Sequence, residues 1–356
     1  MSHSVELPFV APDESIHQVL RVIDGCAKGI GIVVDSERFL LGTITDGDIR
    51  RMILAGVSLK VLASDVLAAK STPSSRRPVT ASIHSSQAAL LGLMKENGVR
   101  QVPLLDDAGR VAGLVTLDEL VPTAVLPLRA VIMAGGSGTR LLPLTAEVPK
   151  PMLPIGDKPL LEWTVAHLRE AGIRRVQITT HYKPEIIAAH FGDGEAFGVR
   201  IDYVPEHQPL GTAGALGLPD VPRERMLLIN GDILTRMDIR SMLAYHEEQH
   251  SDLTVAVRGY QLQIPYGIVE CEGPRVLRIQ EKPSLKFFVN AGIYVLEPCV
   301  HDYISPGERL DMPDLIQRMV GNSRQVISFP VIEYWLDIGQ PADYEQAQVD
   351  IMEGLK

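Results

Sequence analysis

The stretch LLGTITDGDI at residues 40–49 returns 71 positions later as VAGLVTLDEL at 111–120. An internal repeat constrains a fold strongly, because both copies must adopt the same local structure. At the same offset Asp35 falls on Asp106, IVVD on PLLD, and Val19, Leu20 and Ile23 on Leu90, Leu91 and Met94. Those apolar positions have helical spacing. Each copy reads as an extended lead, a helix, a strand, a turn, a second strand and a closing helix. A unit of about 60 residues is small for independent stability, so the two copies are expected to pack together.

At 356 residues the chain is longer than one core usually supports, so a second domain is expected. KSTPSSRRPVT (70–80) is polar and Pro-containing, as a connector between the copies would be, and VPTAVLPLR (121–129) marks the domain boundary. On GTITDGDIRR, GLVTLDEL and the repeat, roughly residues 5–121 resemble a tandem CBS pair, or Bateman module. The resemblance implies an α+β module over 1–122, with repeats at about 5–62 and 66–121. It also implies a regulatory nucleotide between them, its ribose held by Thr45 and Asp48. The second copy has Thr116 but Glu119, a longer acid. The residues leave a second reading of equal weight: Thr45 and Asp48 cap the following helix and the pair is a dimerisation scaffold. DGD at 46–48 reads better as part of such a cap than as a metal site.

RAVIMA (129–134) reads as a buried parallel strand and runs into MAGGSGTRLLPLTAEVPKPMLP (133–154). Glycines let the N–H groups of Gly135, Gly136, Ser137, Gly138 and Thr139 close on an anion. The loop is not a Walker A motif, because G-T-R stands where G-K-[ST] is needed, and Leu141 occupies the third glycine position of a dinucleotide fingerprint. Arg140 and Lys150 supply positive charge, and the prolines around Lys150 lower the entropy cost of fixing it. DKPLLEWTVAHLREAG predicts a helix with Asp157 as N-cap and Leu161, Val165 and Leu168 on one face. Strand-like RVQITT, VRIDYV, RMLLIN and LTVAV then alternate with helical stretches. The alternation predicts an α/β fold with a Rossmann-like, mixed but mostly parallel sheet, and ligands at the carboxyl ends of its strands.

The net charge of −10 argues against a nucleic-acid binder. Cys26, Cys271 and Cys299 are odd in number, far apart and form no CxxC, so neither a disulfide framework nor a zinc site is expected. The N-terminal MSHSVELPFVAPDES lacks a signal pattern and no apolar run approaches ~18 residues, so a cytoplasmic protein with no membrane partner is expected.

The string GGxGTRLxPLTxxxPKPMLPxxxKPLLE resembles the sugar nucleotidyltransferases, or nucleotide-sugar pyrophosphorylases, over about 129–350, within a domain placed at 128–356. The resemblance implies a reaction between a nucleoside triphosphate and a sugar 1-phosphate, with Gly135–Thr139 at the triphosphate and Arg140 and Lys150 as catalytic residues. VPEHQPLGTAGAL (204–216) would border the nucleobase through Glu206, Gly211 and Thr212, and looks most like the guanylyl-transferring branch. Asp232 in LLINGDIL and Asp337 in YWLDIGQPADY would hold Mg²⁺. Gly267, Glu281, Lys282 and Asn290 would meet the sugar phosphate. GTP is the expected donor, with UTP or dTTP the alternative. Mannose, glucosamine or a heptose are the candidate sugars. A homo-oligomer is expected, because both modules resemble families that self-associate. A reading from another class is a non-catalytic nucleotide sensor.

Overall fold

The computed structural model describes residues 7–26, 28–70, 78–121 and 125–355. The chain divides into two units, Met1–Ala124 and Val125–Lys356. Most of the connector at 70–80 lies outside the described residues.

In the first unit the 71-residue offset reappears in the elements. The helix Ile16–Cys26 maps onto Gln87–Asn97, the strand Ile30–Val34 onto Gln101–Leu105, and Leu40–Thr45 onto Val111–Thr116. Each strand pair is antiparallel, and each first strand takes a short parallel neighbour, Phe9–Val10 or Ala81–Ser82. The two turns are built alike. Asp35 accepts N–H bonds from Glu37 and Phe39, and Asp106 accepts them from Ala108 and Arg110. Arg38 holds φ 68° where the second copy has Gly109 at φ 79°, a left-handed position that glycine adopts at less cost. Ile30, Ile32 and Val34 share a core with Val111 and Leu114, so the copies pack against each other as their size requires.

The second unit is organised around one seven-stranded sheet. Its strands in chain order are β1 Arg129–Met133, β2 Arg175–Thr180, β3 Arg200–Pro205, β4 Met226–Asn230, β5 Leu253–Gln263, β6 Ser284–Leu296 and β7 Val326–Val331. Across the sheet they run β3-β2-β1-β4-β6-β5-β7. The pairs β3–β2, β2–β1, β1–β4 and β5–β7 are parallel; only β6 runs antiparallel to its neighbours. The sheet is mixed and mostly parallel, as the alternation predicts. Strand β1 shows why its sequence is apolar throughout. Ala130 and Ile132 enter the core on one face and Val131 the core on the other. Helices Leu160–Glu170, Pro184–Phe191 and Ile239–Glu248 cover the first face, and Met312–Gly321 covers the second.

The helix predicted from Asp157 starts later, at Leu160. Pro154–Ile155 pairs with Lys158–Pro159, so Gly156 (φ 64°) and Asp157 form the turn of a small hairpin and Pro159 precedes the helix. Leu161, Val165 and Leu168 do share its buried face.

Three histidines in this unit carry a pH dependence. Burial pushes His167, His246 and His301 below the ordinary imidazole value, against the hydrogen bonds that His167 donates to the Met237 carbonyl and His246 to Glu297. The native state therefore holds fewer protons than the unfolded chain below pH ~6.5. The stability they contribute is full above that value and is lost as pH falls through it toward the folded values. The melting temperature should drop between about pH 7 and pH 5. His167→Gln keeps a donor for Met237 and should flatten that slope; an unchanged slope would assign the effect to other groups.

Candidate active site

Strands β1 and β4 are neighbours whose following segments leave in opposite directions, and this topological switch point is where open α/β sheets hold ligands. Gly231 donates its N–H to Met133 O at 2.9 Å. A Cβ on Gly231 would stand 2.8 Å from that oxygen, so only glycine lets the end of β4 close on the end of β1. This approach sets Asp232 beside the glycine loop.

The loop is a folded arch. Gly138 (φ 65°) is packed so closely that a Cβ would lie 2.9 Å from Thr145 Cγ2 and 3.0 Å from Lys150 Cβ. Thr145, 1% exposed, donates to Gly138 O at 2.9 Å. Tyr182 and Lys183 donate to Ala146 O at 3.0 and 2.8 Å and pin the far side of the arch. Leu141, Leu153 and Ile155 anchor it in a small core shared with the C-terminal helix Pro341–Met352. Arg140 is exposed between these anchors, while Lys150 is buried.

Lys150 Nζ lies 2.6 Å from Asp232 Oδ2. Asp232 Oδ1 is buried and accepts no hydrogen bond. Asp337 arrives from a different part of the chain, because Trp335–Asp337 pairs antiparallel with Ile233–Thr235 and sets Ile233 opposite Asp337. Ile338 N–H closes the ladder on Asp232 O at 3.0 Å. Burial, and then the like charge of Asp232, push the Asp337 carboxyl above its usual range against the pull of Lys150 and Arg140. A Cβ on Gly339 would stand 3.6 Å from each of Arg140 Nη1, Asp337 Oδ1 and Asp343 Oδ2, so these groups ring one space. An unpartnered buried carboxylate oxygen beside a second carboxylate fits a hard divalent ion that keeps most of its waters. Among the described residues no group of three or more His, Cys, Asp or Glu side chains forms a fuller cage.

Glu206, 8% exposed, follows β3 and reaches the same loop. Its Oε1 lies 2.7 Å from where a Gly135 Cβ would stand, and its Oε2 accepts from Leu210 N–H at 3.2 Å. His181 Nδ1 meets Glu206 O at 2.8 Å. Gly211 and Thr212 are engaged elsewhere. Asp311 accepts from Thr212 N–H at 3.0 Å, Thr212 Oγ1 accepts from Met312 N–H at 2.9 Å, and a Cβ on Gly211 would sit 2.6 Å from Asp311 Oδ1. Their local task is to dock this turn on Leu310–Met312.

The four residues assigned to the sugar fall into two places. Gly267 faces Glu281, whose Oε2 lies 2.9 Å from a virtual Cβ, and Lys282 follows at φ 40°. Asn290 is on β6, where Nδ2 donates to Tyr294 Oη at 2.7 Å and Oδ1 accepts from Gly292 N–H at 3.0 Å. Gly292 in turn admits Asn230, whose Nδ2 would be 2.7 Å from a Cβ there and whose Oδ1 is buried without a partner.

In the first unit Thr45 and Asp48 form a reciprocal capping box, and Thr116 and Glu119 form the same box in the second copy. Burial works against the charge on Asp48, but the Thr45 N–H, Lys70 and Arg51 outweigh it and hold the carboxyl below its usual range. Glu119 pairs with Lys28 of the first copy at 2.9 Å.

Sequence reading missed Thr145, Tyr182, Lys183, Asp311, Gly292 and Asp343. The partners of Thr145, Tyr182 and Asp311 are 7 to 99 residues distant, so no local spacing marks them, whereas Asp343 accepts from Gly339 and Gln340 N–H in a capping box at the start of its own helix.

Residues 129–354 match the family model described as nucleotidyl transferase, and residues 1–55 and 65–123 match the CBS domain. The chain is 34% identical over 238 residues to a mannose-1-phosphate guanylyltransferase of Mycobacterium tuberculosis, covering 64% of this chain and 65% of that relative, less than two thirds of its length. A D-glycero-alpha-D-manno-heptose 1-phosphate guanylyltransferase of Aneurinibacillus thermoaerophilus is 33% identical over 227 residues, 63% of this chain and 98% of that one. A UTP–glucose-1-phosphate uridylyltransferase of Synechocystis is 32% identical, covering 62% of each chain. The solved structure of HddC from Yersinia pseudotuberculosis complexed with GMP-PN superposes with TM-score 0.50 at 26% identity, over 63% of this chain and 99% of that one. Among the described residues no helix is long and apolar enough to cross a membrane.

Proposed function

The chain belongs to the nucleotidyl transferase family and carries a pair of CBS domains ahead of that region, and from this we propose that it transfers a nucleoside monophosphate, preferentially from GTP, to a sugar 1-phosphate, releasing pyrophosphate. The observation that carries the reading is the meeting of Lys150, Asp232, Asp337 and Arg140 at the switch point of the sheet. In this proposal the transferase spans 128–356 and the CBS module 1–122.

The reaction is an in-line displacement. A sugar-phosphate oxygen attacks the α-phosphorus, the bond to the pyrophosphate oxygen breaks, and pyrophosphate leaves with its electron pair. A phosphate monoester with a second pKa near 6 is already ionised at neutral pH, so no general base is required. The work falls on positioning and charge. Arg140 and the N–H groups of Gly135–Thr139 receive the triphosphate, and Lys150 turns from Asp232 toward it. Asp232 and Asp337 would hold Mg²⁺, which when bound neutralises phosphate charge. Glu281 accepts from the sugar hydroxyls and Lys282 meets the sugar phosphate, while Gly267 leaves room and Asn290 borders the sugar from β6.

Glu206 supports the guanine preference. A buried carboxylate only accepts hydrogen bonds, and guanine offers adjacent N–H and NH₂ donors, whereas uracil and thymine offer one N–H between two carbonyls. Gly211 and Thr212 border the base on the turn that Asp311 holds in place. The test is pyrophosphate release from GTP, UTP, dTTP, CTP and ATP against mannose, glucosamine, glucose and heptose 1-phosphates, with and without adenine nucleotides as CBS ligands. GTP should give the highest kcat/KM, and Glu206→Gln should lower the GTP value ~10–100-fold while sparing UTP, in keeping with the loss of one charged hydrogen bond. A wild-type preference for UTP or dTTP would discard the guanylyl assignment. Adenine nucleotides that leave every rate unchanged would reduce the CBS pair to a scaffold.

A further inference from the structure

The turn that follows β2, residues 181–183, touches two parts of the candidate site. The ladder between β2 and β3 ends where Thr180 lies opposite Pro205. Glu206, one residue further on, is still held from the β2 side at both ends of its backbone. Its N–H donates to Thr180 O at 2.7 Å, and its carbonyl meets His181 Nδ1 at 2.8 Å. A carbonyl oxygen only accepts, so Nδ1 carries the proton of this bond. Beyond Glu206 the chain runs through an exposed turn, His207 to Pro209, and the Leu210 N–H comes back to Glu206 Oε2 at 3.2 Å. These bonds leave Oε1, which accepts none from the described residues, over Gly135. A Cβ on Gly135 would stand 2.7 Å from that oxygen and 3.5 Å from His181 Cβ, so the loop glycine lies against both residues.

We infer that His181 is a positioning residue for base selection: by holding the Glu206 carbonyl it aims Oε1 at the nucleobase. The inference rests on the proposed reading of Glu206 as the group that meets the base. Aim matters because a hydrogen bond weakens steeply once its angle is lost. Among the described residues the Glu206 carbonyl has no other donor, so without His181 the peptide after Glu206 turns with the exposed segment that follows it. The next two residues do a different job. Tyr182 Oη and Lys183 Nζ donate to Ala146 O at 3.0 and 2.8 Å, on the arch that carries Lys150. Lys183 holds φ 48°, a left-handed conformation that a residue with a Cβ adopts at a cost. Successive side chains of one turn thus reach different targets, His181 the base-reading residue and Tyr182 and Lys183 the phosphate arch. Base selection and phosphate positioning therefore separate residue by residue.

Steady-state kinetics of the full chain with GTP and UTP test it. His181→Ala should lower the ratio of the two kcat/KM values ~3–10-fold, the scale of one neutral hydrogen bond, through the KM for GTP and with kcat little changed. His181→Asn puts an amide N–H where Nδ1 stands and should restore the ratio. His181→Gln puts it where Nε2 stands and should not. Tyr182→Phe should slow both nucleotides alike and keep the wild-type ratio. In a Glu206→Ala background, His181→Ala should change the ratio no further, because its effect passes through the carboxylate. A ratio unmoved by His181→Ala, while Glu206→Gln still lowers it, overturns the inference and leaves the reading of Glu206 standing. Effects that add in the double variant overturn it too, as does a Tyr182→Phe variant that lowers the ratio equally. A ratio unmoved by Glu206→Gln overturns both.

Discussion

Lys150→Ala should lower turnover by ~10²–10³-fold, the scale on which one charge-stabilising donor contributes to a transition state. The ammonium is fixed by the prolines on either side, the close approach of its stem to Gly138 and the short bond to Asp232, and the mutation leaves the prolines and the backbone at Gly138 in place. The fold should survive. Asp232 keeps a side chain 26% exposed, so water can replace the lost amine, and the cost stays below the ~3–5 kcal/mol of breaking a fully buried pair. Lys150→Met, which keeps the stem, separates packing from charge and should lose turnover equally. The same substitutions have a second consequence that a merely structural lysine would not share. With no triphosphate present, Lys150 occupies one oxygen of Asp232. Removing it leaves two adjacent carboxylates uncompensated, so Mn²⁺ binding measured directly, by calorimetry or electron paramagnetic resonance, should tighten while turnover falls. Near wild-type turnover would remove Lys150 from the catalytic set. Lost turnover with unchanged Mn²⁺ affinity would leave its role at the phosphates and reject its hold on Asp232.

Asp232→Asn and Asp337→Asn should each reduce turnover by ~10³-fold or more, and the double variant should lose its response to Mg²⁺ along with its activity. Both residues present charge to one space, and an amide cannot replace a carboxylate as a ligand for a hard cation. Stability should move the other way at Asp337. Its carboxyl is pushed up, so the fold disfavours its ionised form relative to the unfolded chain. Removing the charge relieves that penalty, and the metal-free Asp337→Asn protein should melt at the wild-type temperature or above. Asp232→Asn should behave differently, because it takes the partner from a buried lysine and should lower the melting temperature. A double variant that remains active and Mg²⁺-stimulated would contradict the metal assignment. A large fall in the melting temperature of Asp337→Asn would show that its charge is structural.

The general architecture was legible in the residues because it rests on short-range periodicity. The repeat at 71 residues specifies the helices and strands of the first unit, since equal patterns of apolar and turn residues meet equal local physics. The apolar run 129–134 specifies a strand covered on both faces, and the glycines after it a tight loop. Where local signals competed, the residues did not decide. Asp157 has the chemistry of an N-cap, but the hairpin Pro154–Ile155 with Lys158–Pro159 claims it for a turn. Gly211 and Thr212 look like a ligand turn, and only the structure shows that Asp311, 99 residues from Thr212, holds that turn by accepting from the Thr212 N–H and hydroxyl.

The sequence by itself determined the two-part organisation, the α/β class and the set of charged residues available to the site. Only the tertiary structure decided that Lys150 meets Asp232, that Asp337 lies beside them through the pairing of Trp335–Asp337 with Ile233–Thr235, and that Glu206 reaches Gly135. It alone also showed that His181 holds the Glu206 carbonyl. The physical reason is range. Propensity and periodicity act over a few residues, whereas these contacts join strand ends separated by tens to hundreds of positions, and the order of strands in the sheet fixes which of those ends meet.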